Sequence, residues 1–531
     1  MSPRFNSPSG PSRPTTGREA LGAALVLLVV LLGLTAFFSF LASSRIVSPD
    51  EGYYGLAAKL TAEGDHPYQD FFYPQMPLLP YAYGLWIKLT GSSLIEQRWL
   101  SALCSVGIGV MVYLHSRRRL GMVYGLVAVL LFATSPLVFP WYPLLKTYAL
   151  AVCMLFAAVF LLDTPLKAPW KLRWFLAGLC LGAAVGARLF FAAAVPVVLF
   201  HCWRARRGRA DLAQQMLWLG GGMLISLLPA IYFLITEFDS FWFSNVGYHL
   251  DRSNMTPAAE QRRRYKVFQV LFGLTRGKTF HGVQLPILFY GGAAYLALVV
   301  ARRRKPSLAF LAALALVVVS FLPAPAYLQY MAVAIPFLAV CSVELLAMVF
   351  SSSALKAGGG KRLVAMGMAG AVLLAYVAPL SSDVERYTET GAGISWIKNP
   401  RHAAEWRPEA LADVSRFIDK HTRPSETVIA LWPGYLLGCH ARILPHLENN
   451  FGLNGAAALP LGEGARFHVM HPKELIEVVK ARSVRTIVFF DKSIGERDLT
   501  RGRTHSVKAA LVRAKYRLVG KVGRVRMYQR V

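Results

Sequence analysis

Residues 21–43, LGAALVLLVVLLGLTAFFSFLAS, carry no charge over the length of a membrane-spanning segment. About 20 apolar residues cross the hydrocarbon of a bilayer as a helix. A backbone in lipid must satisfy its own hydrogen bonds, so helix is the expected form here. The block is too long for the apolar part of a signal peptide and lacks a clear small-residue cleavage site, so it reads as retained. Further apolar blocks follow at 99–116, 121–139, 148–163, 174–187, 189–203, 215–236, 283–301, 307–323, 325–349 and 363–381. The expected fold class is a polytopic α-helical membrane protein with about 11 spans. Composition agrees: 16% of residues are charged, where soluble proteins average about 25%.

A net charge of +29 invites a nucleic-acid reading, but the basic residues lie in short clusters between apolar blocks. Arg117-Arg118-Arg119, Lys167/Lys171/Arg173, Arg204 to Arg209, Arg302 to Lys305 and Lys356/Lys361/Arg362 all fall on one side if the 1–20 tail is cytoplasmic. That is the positive-inside pattern, which sets orientation and says nothing of ligands. An odd number of spans then puts the C-terminal part outside. The count turns on 174–203, where two short spans must reverse around Arg188. A single bent helix there would invert everything downstream.

With 21–381 as the membrane domain, two large loops face outward, 44–98 and 237–282. The first contains GYYGLAAKLTAEG and PLLPYAYGLWIKLTG, aromatic and poor in charge, the pattern of interfacial helices. In the second, AAEQRRRYKVFQVLFGL reads the same way. From Ser382 the composition becomes that of a water-soluble domain. PEALADVSRFIDKH and ELIEVVKAR have helical spacing, TVIALWP and TIVFF are short buried-strand patterns, KAALVRAKY suggests a helix, and RLVGKVGRVRMYQRV suggests a terminal hairpin. The 382–531 region is therefore expected to be a small extracytoplasmic α/β domain. It has no nucleotide-binding glycine pattern. The six cysteines show no metal-ligand spacing and read as apolar filler.

The chemistry-bearing stretch is IVSPDEGYYGLAAKL, residues 46–60, where Asp50 and Glu51 follow the first span directly. Pro49 stops the helix before them, and Tyr53, Tyr54 and DFFYPQMPLLPY (70–81) supply aromatics and the amide of Gln75. A carboxylate held among aromatics at a membrane surface suits a general base. Outer-face cations could meet an anion: Lys146, Arg98, Arg188 and Arg262/Arg263/Arg264. Lys146 could equally snorkel, and the arginine triplet could bind headgroups. Arg188 lies between apolar spans with no acid near in sequence, and an intramembrane charge is a functional hypothesis by default. Tyr248 and His249 could line an acceptor site or be structural. Tyr327, Gln329 and Tyr330 fit interfacial anchoring.

The order SPDEGYYGLAAKL, EGDHPY, YPQMPLLPYAYGLWIKLTG, EQRWLSALCSVGIGVMVYLHSRRRLG and LLFATSPLVF resembles the GT-C membrane glycosyltransferases. Within them it is similar to the branch of protein O-mannosyltransferases and lipid A aminoarabinose transferases, which use polyprenyl-phosphate sugars. The resemblance covers about residues 46–190, and the rest only as a pattern of spans and loops. It implies Asp50 as the base that takes the acceptor proton. Glu51 would orient the acceptor or, with Asp50, help hold a divalent cation, though two ligands are too few to infer a metal. Tyr53, Tyr54, Gln75, Arg98, Lys146, Arg188, Tyr248, His249 and Arg263 are the implied substrate contacts. The implied partners are a lipid-linked donor, the bilayer and an envelope acceptor that is a glycolipid, polysaccharide or protein, with no nucleic acid. The implied place is the outer face of a bacterial cytoplasmic membrane. Two departures leave the sugar open: the aminoarabinose branch commonly has lysine where Gln75 stands, and an acid near Lys146-Thr147. A lipid-linked-sugar transporter is the alternative from another class; transporters commonly show internal repeats, and none is evident. A non-catalytic family member is the third reading.

Overall fold

The computed structural model describes residues 17–205, 208–251, 255–275, 282–352, 359–397, 399–490 and 514–530. Expectations for most of the 1–20 tail and for the start of KAALVRAKY lie outside them. Each apolar block is helical. We label α1 (Gly17–Ser44), α2 (Glu51–Glu63), α3 (Leu78–Thr90), α4 (Leu94–Leu120), α5 (Met122–Ala133), α6 (Thr147–Asp163), α7 (Trp170–Ala187), α8 (Ala194–Ala205) and α9 (Arg209–Thr236). Apolar helices follow at Gln284–Ala301, Leu308–Ser320, Ile335–Phe350 and Gly359–Val377. Among the described residues six helical segments are long and apolar enough to cross a membrane: 18–44, 94–120, 209–236, 284–301, 328–350 and 359–390. The other apolar helices are shorter or less apolar, so the expected figure of about 11 becomes six candidate spans plus these. Leu21, Leu25, Val29 and Leu32 of α1 are exposed, as a helix facing lipid requires.

Two features settle how the chain enters its first loop. α1 ends at Ser44, and the C-terminal carbonyls of a helix need partners. Arg98 supplies them: its Nη1 donates to Ala42 O at 3.0 Å and Arg45 O at 2.7 Å. Arg98 itself is fixed near the start of α4 by a capping box, in which Ser93 N–H donates to Glu96 Oε2 and Glu96 N–H donates to Ser93 Oγ. The extended stretch 46–49 then lies against the C-terminal region. Ile46 N–H donates to Tyr387 O and Val47 N–H to Trp406 O, while the indoles of Trp396 and Trp432 donate to Val47 O and Pro49 O. The buried Arg45 guanidinium sits over the rings of Tyr387, Trp396 and Trp141.

The first loop folds as α2 and α3, and the basic segment of the second as the helix Pro257–Leu271. The C-terminal region carries a five-stranded mixed sheet, β2-β1-β3-β5-β4, from β1 (Thr427–Ala430), β2 (Arg442–Ile443), β3 (Thr486–Phe490), β4 (Tyr516–Val522) and β5 (Val525–Arg530). β1 pairs in parallel with β2 and β3, and β5 is antiparallel to β3 and β4. The helices expected at PEALADVSRFIDKH and ELIEVVKAR form over Pro408–His421 and Pro472–Lys480, and the strand TIVFF and the terminal hairpin are present.

The sheet region grips α2. Lys59 Nζ donates to Leu436 O at 3.2 Å and also to Cys439 O. A Cβ on Gly52 would lie 2.7 Å from Trp432 Nε1 and 2.8 Å from Gly434 N, and one on Gly55 2.8 Å from Leu437. These glycines, one helical turn apart, let the 432–437 segment seat directly on the helix. Gly52→Ala is expected to cost about 1–3 kcal/mol through overpacking and to loosen the sheet region. Thermal unfolding in detergent and limited proteolysis after residue 390 read it; a wild-type digestion pattern would count against this docking.

At the end bearing the 117–119 cluster, Arg119 is paired. It bridges Asp163 at 2.5 Å and Glu344 at 3.2 Å, tying α4 and α6 to the helix Ile335–Phe350.

Candidate active site

Asp50 occupies the N-cap of α2, where an Asp side chain ordinarily accepts from the first N–H groups of the helix. Here it makes no cap bond. Its Oδ2 instead accepts from Lys146 Nζ at 2.7 Å, with Asp50 about one-third exposed (32%) and Lys146 nearly buried (3%).

Glu51 does the structural work. Its Oε2 accepts from Ser48 N–H at 2.8 Å and Arg98 Nη2 at 2.7 Å, and its Oε1 from Arg98 Nε at 2.7 Å and Leu145 N–H at 3.0 Å. Both side chains of the Glu51–Arg98 pair are fully buried. Sequence reasoning gives Glu51 to the acceptor or a cation and Arg98 to the phosphate; the structure instead commits both to each other and to backbone. The bidentate fork leaves Glu51 no open oxygen. The pair also sets the site, because Leu145 N–H on Glu51 and Leu144 O on Ser101 Oγ (2.8 Å) fix the backbone just before Lys146.

Asp50 and Glu51 are each engaged by a different cation, so they do not form the shared site that a divalent metal needs. Among the described residues no group of three or more His, Cys, Asp or Glu could hold one.

Arg188 joins from the other side. α7 ends at Ala187, Arg188 is extended (φ −160°, ψ 120°), and a 3-10 turn (Leu189–Ala193) leads into α8. The two-helix reading of 174–203 thus has its break at Arg188. Its Nη1 donates to Thr147 Oγ1 at 3.3 Å, beside Lys146, and its guanidinium lies 4.6–5.2 Å from the rings of Phe190, Tyr148 and Tyr330. Among the described residues Arg188 has no carboxylate partner. Lys146 lies 4.8 Å from the Trp141 ring. Burial pushes the Tyr54 hydroxyl up to about 12 against the opposing pull of Arg188, with Asp50 adding to the rise. Tyr54 therefore stays a protonated donor in the field of both groups.

The other expected contacts sit further out. The Tyr53 ring lies tilted against Tyr54, centroids 4.2 Å apart, and meets Phe451 edge-on at 5.9 Å. The bonds found for Gln75 run through its main chain, to Tyr73 O and from the Tyr68 hydroxyl. Tyr248 packs with Phe72, Phe243 and Val469 where the first and second large loops meet the sheet region. His249 Nε2 donates to Pro74 O at 2.8 Å. Arg263 donates to Ala326 O at 2.8 Å and covers the Tyr327 ring at 4.3 Å. Tyr327 in turn touches Tyr330, so Arg263 reaches Arg188 only through two aromatic rings. Tyr148 and Trp141, which sequence reasoning does not single out, line the cations together with Tyr330, expected there only as an interfacial anchor. The spacing in WYPLLKTY, aromatics around a lone lysine, was the signal available.

One acid, two cations and a phenol thus converge where α2, the 141–147 turn and the α7 break meet. Such a group can take a proton and hold an anion.

Residues 65–235 match the family model described as dolichyl-phosphate-mannose-protein mannosyltransferase, a span that includes Lys146 and Arg188 but not Asp50. No curated protein sequence matches. Two crystal structures of ArnT from Cupriavidus metallidurans are similar, one bound to undecaprenyl phosphate and one apo, each with a TM-score of 0.66. The former is 14% identical, over 96% of this chain and 98% of that one. The oligosaccharyltransferase of Archaeoglobus fulgidus, tethered with an acceptor peptide, is 15% identical with a TM-score of 0.50 over 95% of this chain and 74% of that one. The chain is a multi-pass membrane protein with the fold of ArnT, and its residues 65–235 are similar to the dolichyl-phosphate-mannose-protein mannosyltransferase family.

Proposed function

We propose that this protein is a membrane glycosyltransferase that moves a sugar from a polyprenyl-phosphate carrier to an envelope acceptor at the outer face of a bacterial cytoplasmic membrane. One observation carries the reading: Asp50 is paired to Lys146 while Arg188, adjacent through Thr147, has no acid of its own among the described residues. The surplus positive charge suits a phosphate, and an unpaired cation at this depth is costly without an anion. The ArnT relative bound to undecaprenyl phosphate supports the choice of carrier.

In the reaction, Asp50 takes the proton of an acceptor hydroxyl or amine as that atom bonds to the anomeric carbon. The bond from that carbon to the phosphate oxygen breaks, and the lipid phosphate leaves with the electron pair. Arg188 and Lys146 stabilise the developing negative charge, as preorganised donors do. Lys146 touches both ends of the event, as partner of the base and as holder of the leaving group. Glu51 and Arg98 position Lys146 through the 144–145 backbone and touch neither substrate.

Undecaprenyl phosphate binding to the protein in nanodiscs tests the reading. Arg188→Ala is expected to weaken it by about 10–100-fold, the loss of charge-assisted hydrogen bonds, with the melting temperature nearly unchanged. Sugar release from a panel of polyprenyl-phosphate sugars with membrane extract should fall in parallel. Unchanged lipid-phosphate affinity in the variant would remove Arg188 from the site.

A further inference from the structure

We propose that the turn Glu448-Asn449-Asn450, with the Phe451 ring beside it, is a recognition site for a neutral sugar ring. The proposal rests on the glycosyltransferase reading and deepens it. These residues lie between β2 and the short helix Gly452–Ala456, where the sheet region faces the first outer loop. All three polar side chains are more than nine-tenths buried, with 7%, 3% and 3% exposure.

The fold engages two of the six polar atoms of these side chains. Glu448 Oε1 accepts from His446 N–H at 3.0 Å, and Asn449 Oδ1 from Phe451 N–H at 2.9 Å. Glu448 Oε2, Asn449 Nδ2 and Asn450 Oδ1 are buried without any partner among the described residues. Buried polar atoms are almost always satisfied. Three unmet polar atoms on consecutive residues point to a ligand that completes them.

The chemistry of the vacancies selects the ligand. Burial, with a smaller push from Asp65, raises the Glu448 carboxyl to about 8, so at neutral pH it carries a proton. The set then offers a hydroxyl donor, an amide donor and an amide acceptor, with no net charge. A phosphate asks for donors only, a metal ion for acceptors only, and a lipid tail for neither. Neighbouring sugar hydroxyls both donate and accept, and match all three.

Position adds the second argument. Phe451 meets Tyr53 edge-on, and Tyr53 stands one helical turn from Asp50 and feels its charge. Binding sites of this kind combine an apolar, aromatic lining with a few convergent polar groups. The turn therefore lies one aromatic layer from the reacting centre, where it can read the hydroxyls of the donor sugar or of an acceptor glycan.

The test is saturation-transfer NMR on the full-length protein in nanodiscs, with the methyl glycosides of mannose, glucose, galactose and N-acetylglucosamine as probes. At least one should bind. Its affinity should fall about tenfold or more in Asn449→Ala/Asn450→Ala, as lost hydrogen bonds dictate. It should survive in Glu448→Gln, which keeps a neutral donor and acceptor. If the alanine pair unfolds, the isosteric Asn449→Asp replaces the amide donor with a carboxylate oxygen and carries the same expectation. Competition by an undecaprenyl-phosphate sugar assigns the site to the donor sugar, and additive binding assigns it to the acceptor. Absence of glycoside binding, or wild-type binding by the asparagine variants, overturns the proposal. Undecaprenyl phosphate binding by the same wild-type sample is read separately: its failure removes the glycosyltransferase reading, whereas its presence without glycoside binding removes only this site.

Discussion

Arg98→Ala is expected to leave a protein that folds poorly or not at all. Removing one partner of a buried pair costs about 3–5 kcal/mol, against a total stability of only about 5–15 kcal/mol. The substitution strands the fully buried Glu51 carboxylate and frees the carbonyls of Ala42 and Arg45 that end α1. Glu51→Ala should be nearly as severe, because it strands Arg98 and releases Ser48 N–H and Leu145 N–H. Glu51→Gln keeps the shape and some of the bonds, and should lose less. The double variant Glu51→Leu/Arg98→Met should recover part of the stability, since apolar replacement of a buried pair is often tolerated. It should still transfer sugar poorly, because nothing then fixes the backbone ahead of Lys146. Thermal unfolding in detergent, beside transfer assays on whatever folds, decides the matter. An Arg98→Ala protein of wild-type stability, crippled only in turnover, would return Arg98 to the substrate.

This pair also marks where sequence reasoning stops. Helix positions were legible because lipid forces helices and because apolar length is a one-dimensional property; the blocks at 21–43 and 215–236 could hardly be anything else. The short strand TIVFF and the hairpin before Arg530 were legible from local pattern in the same way. Adjacent acids are different. Nothing in the letters DE says that one side chain turns into a buried fork with Arg98, 47 residues on, while the other meets Lys146, 96 residues on. That division depends on where α4 and the 141–147 turn arrive in space. The basic clusters hide a similar difference, with Arg119 in an ion-pair network that its run of three arginines does not announce. The Glu448-Asn449-Asn450 turn was silent because unmet hydrogen bonds are visible only once burial is known.

Asp50→Asn then becomes the variant that separates chemistry from scaffold. Asp50 makes no cap bond and is one-third exposed, so the amide should leave the fold close to wild type. Transfer should fall by about 10²–10⁴-fold, the usual contribution of a positioned acid or base. Binding of the lipid phosphate should move the other way. The variant removes the negative charge paired with Lys146, and the freed ammonium, 3% exposed, can then spend its charge on the carrier phosphate. Undecaprenyl phosphate affinity equal to or above that of wild type, with turnover lost, is therefore the expected signature of Asp50 as the base. A structural role would lower stability and both functions together. Full transfer by Asp50→Asn would remove the proposed base outright, and turnover lost together with carrier binding would place Asp50 in donor recognition instead. A transport role predicts yet another result, carrier movement across liposomes that needs no acceptor and releases no sugar. The assignment of Asp50 thus stands on two readings taken from one sample, affinity for the phosphate and rate of transfer, moving apart.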